Sequence, residues 1–490
     1  EKWEIKMFPA ILKNCFMPKA SLDFMRSKFE QKIMKYLTTG TPQKFIMSFT
    51  GSSVTAGHDS PFENSYPVLI ENILKPAFHH LQINPISRNL AFGNNPCIPY
   101  NPCVKYFSGY DADLVLWEQS YNCRMEHSAV EQFVRQSLTI ESQPVVVVTD
   151  SATGTWKPSQ CGGKNPNSSV PITPAEASLL KTDFLTLVSS TNKNGFDSKF
   201  HSLLNFFNLY PGAGIQTFHF SISSHYECKG PYIPLWQKGA APWHPSVSGH
   251  KYRAAVHSYF WLHVWLEAIN NIESRLQRKS IKDYENIVNL QMKTFKQSLS
   301  KASRVSPFPD NIVCKTDYEP RIVREASLKN QVVSGLKPNT STSSSGWQFS
   351  LYEELINQRT AKEHLQRSHK DLKYLIHGNE QSGPLSLKVE MKNPGPLFIC
   401  QTPGIWGKLP NNYVDMWVTK MEAFITYDVQ KSQNFEFHEG KSEKLEIYWS
   451  KQELQLCVQL KSKSWLGKNV KAGKHVLTIV PKGSEGIIIA

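Results

Sequence analysis

From Gln43 to about Leu276, short apolar runs rich in β-branched residues alternate with longer stretches of helical spacing, and few architectures accept that order. Phe45–Thr50 predicts a strand that stops at Gly51; Ile86–Phe92, Asp113–Trp117, Pro144–Thr149 and Ile215–Ile222 predict four more. Between them Tyr66–Leu81, broken at Pro76, and Ser128–Leu138 and Pro174–Ser189 have helical spacing, and a long helix is expected from about Gly249 to Leu276. Strands separated by helices pair in parallel, so this stretch predicts an α/β, doubly wound sheet. Val145–Val148 is apolar at every position, as a central strand covered on both faces requires. In such sheets ligands bind beyond the carboxyl ends of the strands, which makes motifs at strand ends the ones to weigh.

Beyond about Ala302 the pattern changes. Ser306–Pro309 and Asn339–Ser345 read as loop or linker, with a polar helical pattern over Leu351–Lys370. After Pro384 the chain is rich in short strands: Leu385–Val389, Leu397–Cys400, Ala423–Tyr427, Leu445–Trp449, Leu454–Leu460 and Val476–Val480. That spacing predicts a small β-sandwich, with Cys400 and Cys457 placed to bridge its sheets. The expected organisation is an N-terminal extension (1–42), an α/β domain (43–300), a connecting segment (301–380) and a β-sandwich accessory domain (381–490).

Composition narrows the function. The chain has 490 residues, 40% of them apolar and 20% charged, enough to bury sizeable cores in two or three domains. Its net charge of +14 is spread along both halves without a basic arm, and no zinc-finger, basic-zipper or RNA-binding pattern occurs, so nucleic acid is not an expected partner. The longest apolar stretch, Ala254–Ile269, is too short and too polar for a transmembrane segment. Cys97 and Cys103 flank a proline-rich loop that a short disulfide would close, and Asn167 and Asn339 begin glycosylation sequons. Together these favour a secreted, extracellular or endomembrane-lumen setting. Lys461, Lys463, Lys468, Lys471 and Lys474 lie beside Trp465 in an acid-free stretch, either a face for an anionic glycan or a solvated surface.

The residues able to do chemistry sit where the ligand rule directs attention. Gly51–Gly57 (Gly-Ser-Ser-Val-Thr-Ala-Gly) follows the first strand and presents Ser53, either as a nucleophile or as part of a phosphate-cradling or helix-capping turn. His244, after the last strand, is the candidate base; His250 falls inside the helix start and reads as structural. Gly93 and Asn122, each just past a strand, supply the backbone and side-chain donors that an oxyanion hole needs.

Taken in order, these four segments resemble the SGNH (GDSL-type) hydrolase family over roughly residues 43–275. Ser53 falls at the nucleophile of the first block, with Ser52 in place of the usual Asp. Gly93, with Asn89 four residues before it, matches the second block; Asn122 matches the third. His244 matches the last block in His-Pro-x-x-x-Gly-His form. The resemblance implies a flavodoxin-like sheet and a serine esterase that removes acyl groups, often acetyl, from polysaccharide or glycoprotein glycans. It implies Ser53 and His244 as the catalytic pair, an oxyanion hole from Ser53, Gly93 and Asn122, and neither cofactor nor metal. One departure bears on activity: the family's Asp three residues before the histidine is here Ala241. Loss of that acid costs about 10⁴ in kcat in a serine triad. Asp150 and Glu118 are the candidates for a substitute orienting acid. The competing expectation is a catalytically degenerate scaffold that binds glycan or serves as a subunit of a larger assembly.

Overall fold

The computed structural model divides into two compact units, the first comprising residues 1–313, 320–329 and 367–371 and the second the remainder. The structure describes residues 15–16, 19–57, 62–91, 101–118, 127–151, 215–220, 245 and 247–299, and, further on, 318–319, 348–351, 372–378, 381, 385–391, 394–395, 397–400, 421–427, 442–448, 457–462, 470, 472–481 and 487–489.

The first unit is organised by one sheet. Its strands are β1 (Cys15–Phe16), β2 (Gln43–Gly51), β3 (Ile83–Asn89), β4 (Leu114–Glu118), β5 (Val145–Ser151) and β6 (Ile215–Phe220), in spatial order β1-β6-β5-β4-β2-β3. Strands β2 to β6 pair in parallel, and β1 adds an antiparallel edge. Among the parallel strands, β3-β2-β4-β5 gives the order 2-1-3-4, which β6 continues. This is the doubly wound, flavodoxin-like order, and its switch point lies between β2 and β4.

The helices are α1 (Lys19–Thr39), α2 (Ser53–Ala56), α3 (Tyr66–His79), α4 (Val104–Ser108), α5 (His127–Leu138), α6 (Val247–Leu276) and α7 (Ile281–Leu299). Period-two alternation along β2 sends Phe45, Met47 and Phe49 to one face. They are buried there with Leu114, Leu116, Val145 and Val147 against α1, α3 and α6. Phe78 stacks on Trp265 at 4.1 Å between ring centroids, and Phe29 of α1 meets both rings edge-on. On the other face Trp117 packs against Phe133 of α5, and the Ser48 hydroxyl donates to the carbonyl of Ser108 in α4. Val145–Val148 is buried at all four positions, as its composition predicts.

Four sequence expectations are corrected here. Helix α1 falls in the segment read as an N-terminal extension, yet Phe24, Met25, Phe29, Ile33 and Met34 belong to the α/β core. Buried Lys28 and partly buried Lys32 of this helix pair with Asp113 at 3.3 and 2.8 Å, tying it to the start of β4. Helix α3 is not broken at Pro76: the proline is exposed, as is Asn72, whose carbonyl loses its donor and can take water, while Tyr66, Ile70, Leu74 and Phe78 bury one stripe across it. Strand β3 begins at Ile83 rather than Ile86, with Pro85 accommodated because β3 is an edge strand. Helix α7 is additional; Tyr284 and Asn271 of α6 both donate to buried Glu30 of α1, joining the three helices. The helix expected over Pro174–Ser189 lies outside the described residues.

In the second unit every strand pairing is antiparallel among the described residues. Its strands are β7 (Tyr318–Glu319), β8 (Gln348–Leu351), β9 (Leu372–Gly378), β10 (Leu385–Met391), β11 (Leu397–Cys400), β12 (Met421–Tyr427), β13 (Ser442–Tyr448), β14 (Cys457–Ser462), β15 (Gly473–Pro481) and β16 (Ile487–Ile489). One sheet runs β10-β15-β12-β13-β14-β11; a second joins β16, β8 and β7 to β9. On β15 His475, Leu477 and Ile479 are buried and the residues between them are not, the pattern of a sheet covered on one side.

Two further readings change, and the lysine cluster gains a structural setting. Strands β7, β8 and β9 come from the stretch read as a connecting segment, and Leu351 closes a strand instead of opening a helical pattern. Cys400 and Cys457 do not span two sheets: they are direct register partners on neighbouring strands of one sheet. Of the five clustered lysines, Lys461 stands opposite Glu446 and Lys474 opposite Glu390, so a stretch without acids in sequence has acids across the strands.

Candidate active site

Ser53 opens α2 directly after β2, at the carboxyl end of the strand beside the sheet's switch point, and is half-buried. This one-turn helix is held at both ends. Ser52 is its N-cap in extended conformation, and its hydroxyl accepts from the Val54 N–H at 3.2 Å. Gly57 closes it with φ of 73°, the left-handed conformation that costs glycine least, and its N–H donates to the Ser53 and Val54 carbonyls.

The neighbouring strand supplies a carboxylate to this turn. Gly51 and Glu118, the last residues of β2 and β4, are register partners, and the Ser52 N–H donates to the Glu118 carbonyl at 2.8 Å. The buried Glu118 side chain turns toward the same residues. Its Oε2 accepts from the Ser52 hydroxyl at 2.7 Å, the Thr55 hydroxyl at 2.9 Å and the Ser52 N–H at 3.3 Å. Since Thr55 gives its proton to the carboxylate, the 2.7 Å contact with Tyr66 has the Tyr66 hydroxyl donating to Thr55. Burial, with the negative Glu118 nearby, pushes the Tyr66 phenol far above its usual range and keeps it protonated. Asn89, at the end of β3, completes the frame: its Nδ2 donates to the Thr55 carbonyl at 2.9 Å, and its Oδ1 accepts from the Ala91 N–H.

Tyr66 also links this turn to α6. Its ring stacks with His250 and His257, at centroid distances of 6.2 and 6.0 Å. His250, read from sequence as structural, is buried here in the first turn of α6. Burial, reinforced by the positive Arg253, holds the His257 imidazole well below its usual range and keeps it neutral.

Of the residues singled out by sequence, Ser53 and Glu118 are brought to the same strand ends. Asp150 lies near the end of β5 with His219 as its register partner. His244, Ala241, Gly93 and Asn122 lie outside the described residues. Glu118, a candidate for the acid behind His244, commits Oε2 to the nucleophile turn. Cys103 is disulfide-bonded, and its expected partner Cys97 lies outside the described residues. Thr55 belongs to the Gly51–Gly57 segment but is not among the residues singled out, and Tyr66 carries no motif; the signal for Thr55 is a hydroxyl close to a strand end that must find a partner once buried. Among the described residues no cluster of metal-ligating side chains occurs, and no helix is long and apolar enough to cross a membrane.

No protein-family model matches the chain, and no curated protein sequence does. Among solved structures it is similar to a two-domain esterase (CEX) active on acetylated mannans, at 14% identity over 94% of this chain and 93% of the other, with a TM-score of 0.37. The same esterase co-crystallized with mannopentaose aligns at 12% identity over 94% and 96%, again with a TM-score of 0.37. LAE5, an alpha/beta hydrolase enzyme from the metagenome of Lake Arreo, Spain, aligns at 11% identity over 45% of this chain and 96% of its own, with a TM-score of 0.21. These structural neighbours are esterases and hydrolases.

Proposed function

We propose that the first unit is a serine ester hydrolase of SGNH type that removes acyl groups, acetyl foremost, from carbohydrate. The Ser53 hydroxyl attacks the ester carbonyl while His244 takes its proton. The Ser53 and Gly93 N–H groups and the Asn122 amide hold the oxyanion. His244 gives that proton to the departing sugar oxygen and leaves an acyl–Ser53 ester; water, deprotonated by the same histidine, attacks the ester carbonyl, the acyl–Oγ bond breaks, and His244 returns the proton to Ser53 as the acid leaves. The observation that supports this reading most is the capped turn that presents Ser53 at the carboxyl end of β2, beside the switch point where doubly wound folds bind ligands. The disulfide at Cys103 and the two sequons support a secreted, extracellular or lumenal protein.

Ala241 favours a second reading, a scaffold that has lost turnover and binds glycan or joins a larger assembly. A serine-directed fluorophosphonate probe separates the two. Labelling of the wild-type chain that disappears in Ser53→Ala, with circular dichroism unchanged, is the expected result. A folded wild-type chain that takes no label at Ser53 would sink the hydrolase reading and leave the scaffold.

A further inference from the structure

We propose that Glu118 is the positioning residue of the nucleophile, the carboxylate that sets the orientation of Ser53 from the neighbouring strand. The inference rests on the hydrolase reading above and gives Glu118, which the sequence offers as a substitute acid behind His244, a different role.

The turn from Gly51 to Gly57 contains no acid, yet two of its hydroxyls and one N–H converge on a single carboxylate oxygen. Those donors belong to Ser52 and Thr55, which bracket Ser53 along the chain. Ser53 thus has an anchor one residue before it and another two residues after it, both ending on Glu118 Oε2. The backbone is held against the same residue, since the Ser52 N–H reaches the Glu118 carbonyl at 2.8 Å. A Cβ on Gly51 would lie 2.8 Å from that carbonyl, so the strand ends leave no room for a side chain there. Charge-assisted bonds to a buried carboxylate are about twice as strong as neutral ones. An anchor of this kind resists the small rotations of the α2 axis that would swing the Ser53 hydroxyl off its line of attack. Glu118 acts through Ser52 and Thr55, so it is not a catalytic residue.

The test is a carboxylate transplant measured on the whole chain. Glu118→Gln preserves shape but removes the charge; Ser52→Asp adds a carboxylate inside the turn; the double variant moves the carboxylate from β4 to position 52. With p-nitrophenyl acetate as substrate, E118Q is expected to lower kcat by about tenfold to a hundredfold, the range for a mispositioned reacting group, while KM changes by less than about twofold. S52D alone sets two carboxylates side by side and is also expected to be slow. The double variant is expected to recover most of the lost kcat, a sign reversal that general destabilisation does not produce. Hydrogen–deuterium exchange of the peptide covering residues 51–57 supplies a readout independent of turnover. Its protection should fall in E118Q and return in the double variant.

An E118Q chain with wild-type kcat overturns the proposal whatever its exchange, and so does a slow E118Q chain that S52D does not rescue. If the wild type neither labels nor turns over, it is the hydrolase reading that fails. Retained protection of residues 51–57 in E118Q would then overturn the anchor as well, and lost protection would support it.

Discussion

Gly51 and Glu118 end adjacent parallel strands so closely that a Cβ on Gly51 would sit 2.8 Å from the Glu118 carbonyl oxygen and 2.5 Å from the Thr55 hydroxyl. Thr55 cannot retreat without leaving Glu118, and the carbonyl belongs to a paired strand. The Gly51→Ala variant is therefore expected to lose about 1–3 kcal/mol, the usual cost of overpacking. Under the proposed hydrolase function it is also expected to lose activity, because the displaced atoms are those that hold the Ser53 turn. Urea unfolding beside ester hydrolysis checks both; an alanine that leaves both unchanged refutes the contact.

Tyr66 joins two layers of the site, donating to Thr55 at 2.7 Å while its ring meets Phe49 edge-on and stacks with His250 and His257. The two functions separate by substitution. Tyr66→Phe keeps the ring and leaves the Thr55 oxygen without its donor, which is expected to cost about 1 kcal/mol. Tyr66→Ala also removes the ring from a buried site, expected to cost about 3–5 kcal/mol. Ellipticity at 222 nm in urea reports the comparison, because all the described α-helices lie in the first unit. Equal losses for the two variants would contradict the division.

The Lys28–Asp113 pair makes an asymmetric prediction. Burial lowers the Lys28 ammonium from its usual range, and the neighbouring Asp113 carboxylate works against that. Asp113 also accepts from the Ile46 N–H and pairs with Lys32, so it retains partners when Lys28 is removed. Lys28→Met removes a buried cation and its bond to the Ser142 carbonyl but leaves Asp113 paired with Lys32, and is expected to cost less than loss of the carboxylate. Asp113→Asn leaves two lysines facing an uncharged amide, one of them buried, and is expected to cost about 3–5 kcal/mol. If Lys28→Met proved the more damaging of the two, the pair would be stabilising in a way this geometry does not explain.

The parallel sheet was legible because β4 and β5 contain continuous apolar runs and β2 one broken only by Ser48, and a strand buried on both faces needs little more than that. Helix α1 was not. With Ser21, Ser27, Lys28 and Glu30 buried beside Phe24, Met25 and Phe29, its polar and apolar positions do not separate into two faces. Helix α7 was missed for the opposite reason: among its described side chains the buried stripe is Tyr284, Val288 and Met292, while Leu290 is 65% exposed. Proline misled twice, at Pro76 on a solvent face and at Pro85 on an edge strand, since local sequence does not say where in the fold a residue will lie. In the site, the block around Ser53 named the residue that the turn presents. The role of Glu118 was hidden because it depends on register: only the pairing of Gly51 with Glu118 places that carboxylate under Ser52 and Thr55.

His257 gives the fold a defined response to acid. Its ring is buried against Tyr66 and 5.3 Å from Trp261, and burial followed by the Arg253 charge keeps it neutral. In the unfolded chain a histidine takes up its proton near pH 6.5. Above that pH both states are neutral at this residue and its contribution is fully present. As pH falls below about 6.5 only the unfolded state binds the proton, so stability is lost by up to about 1.4 kcal/mol per pH unit until the depressed folded-state value is reached. His257→Gln removes this linkage while leaving the other titrating groups in place. The variant should be less stable than wild type at pH 7.5, because an amide replaces a stacked ring, and the gap should shrink as pH falls from 6.5 to 5. Urea midpoints at 222 nm across that interval measure it, and a gap that stays constant with pH would show that His257 does not carry the linkage.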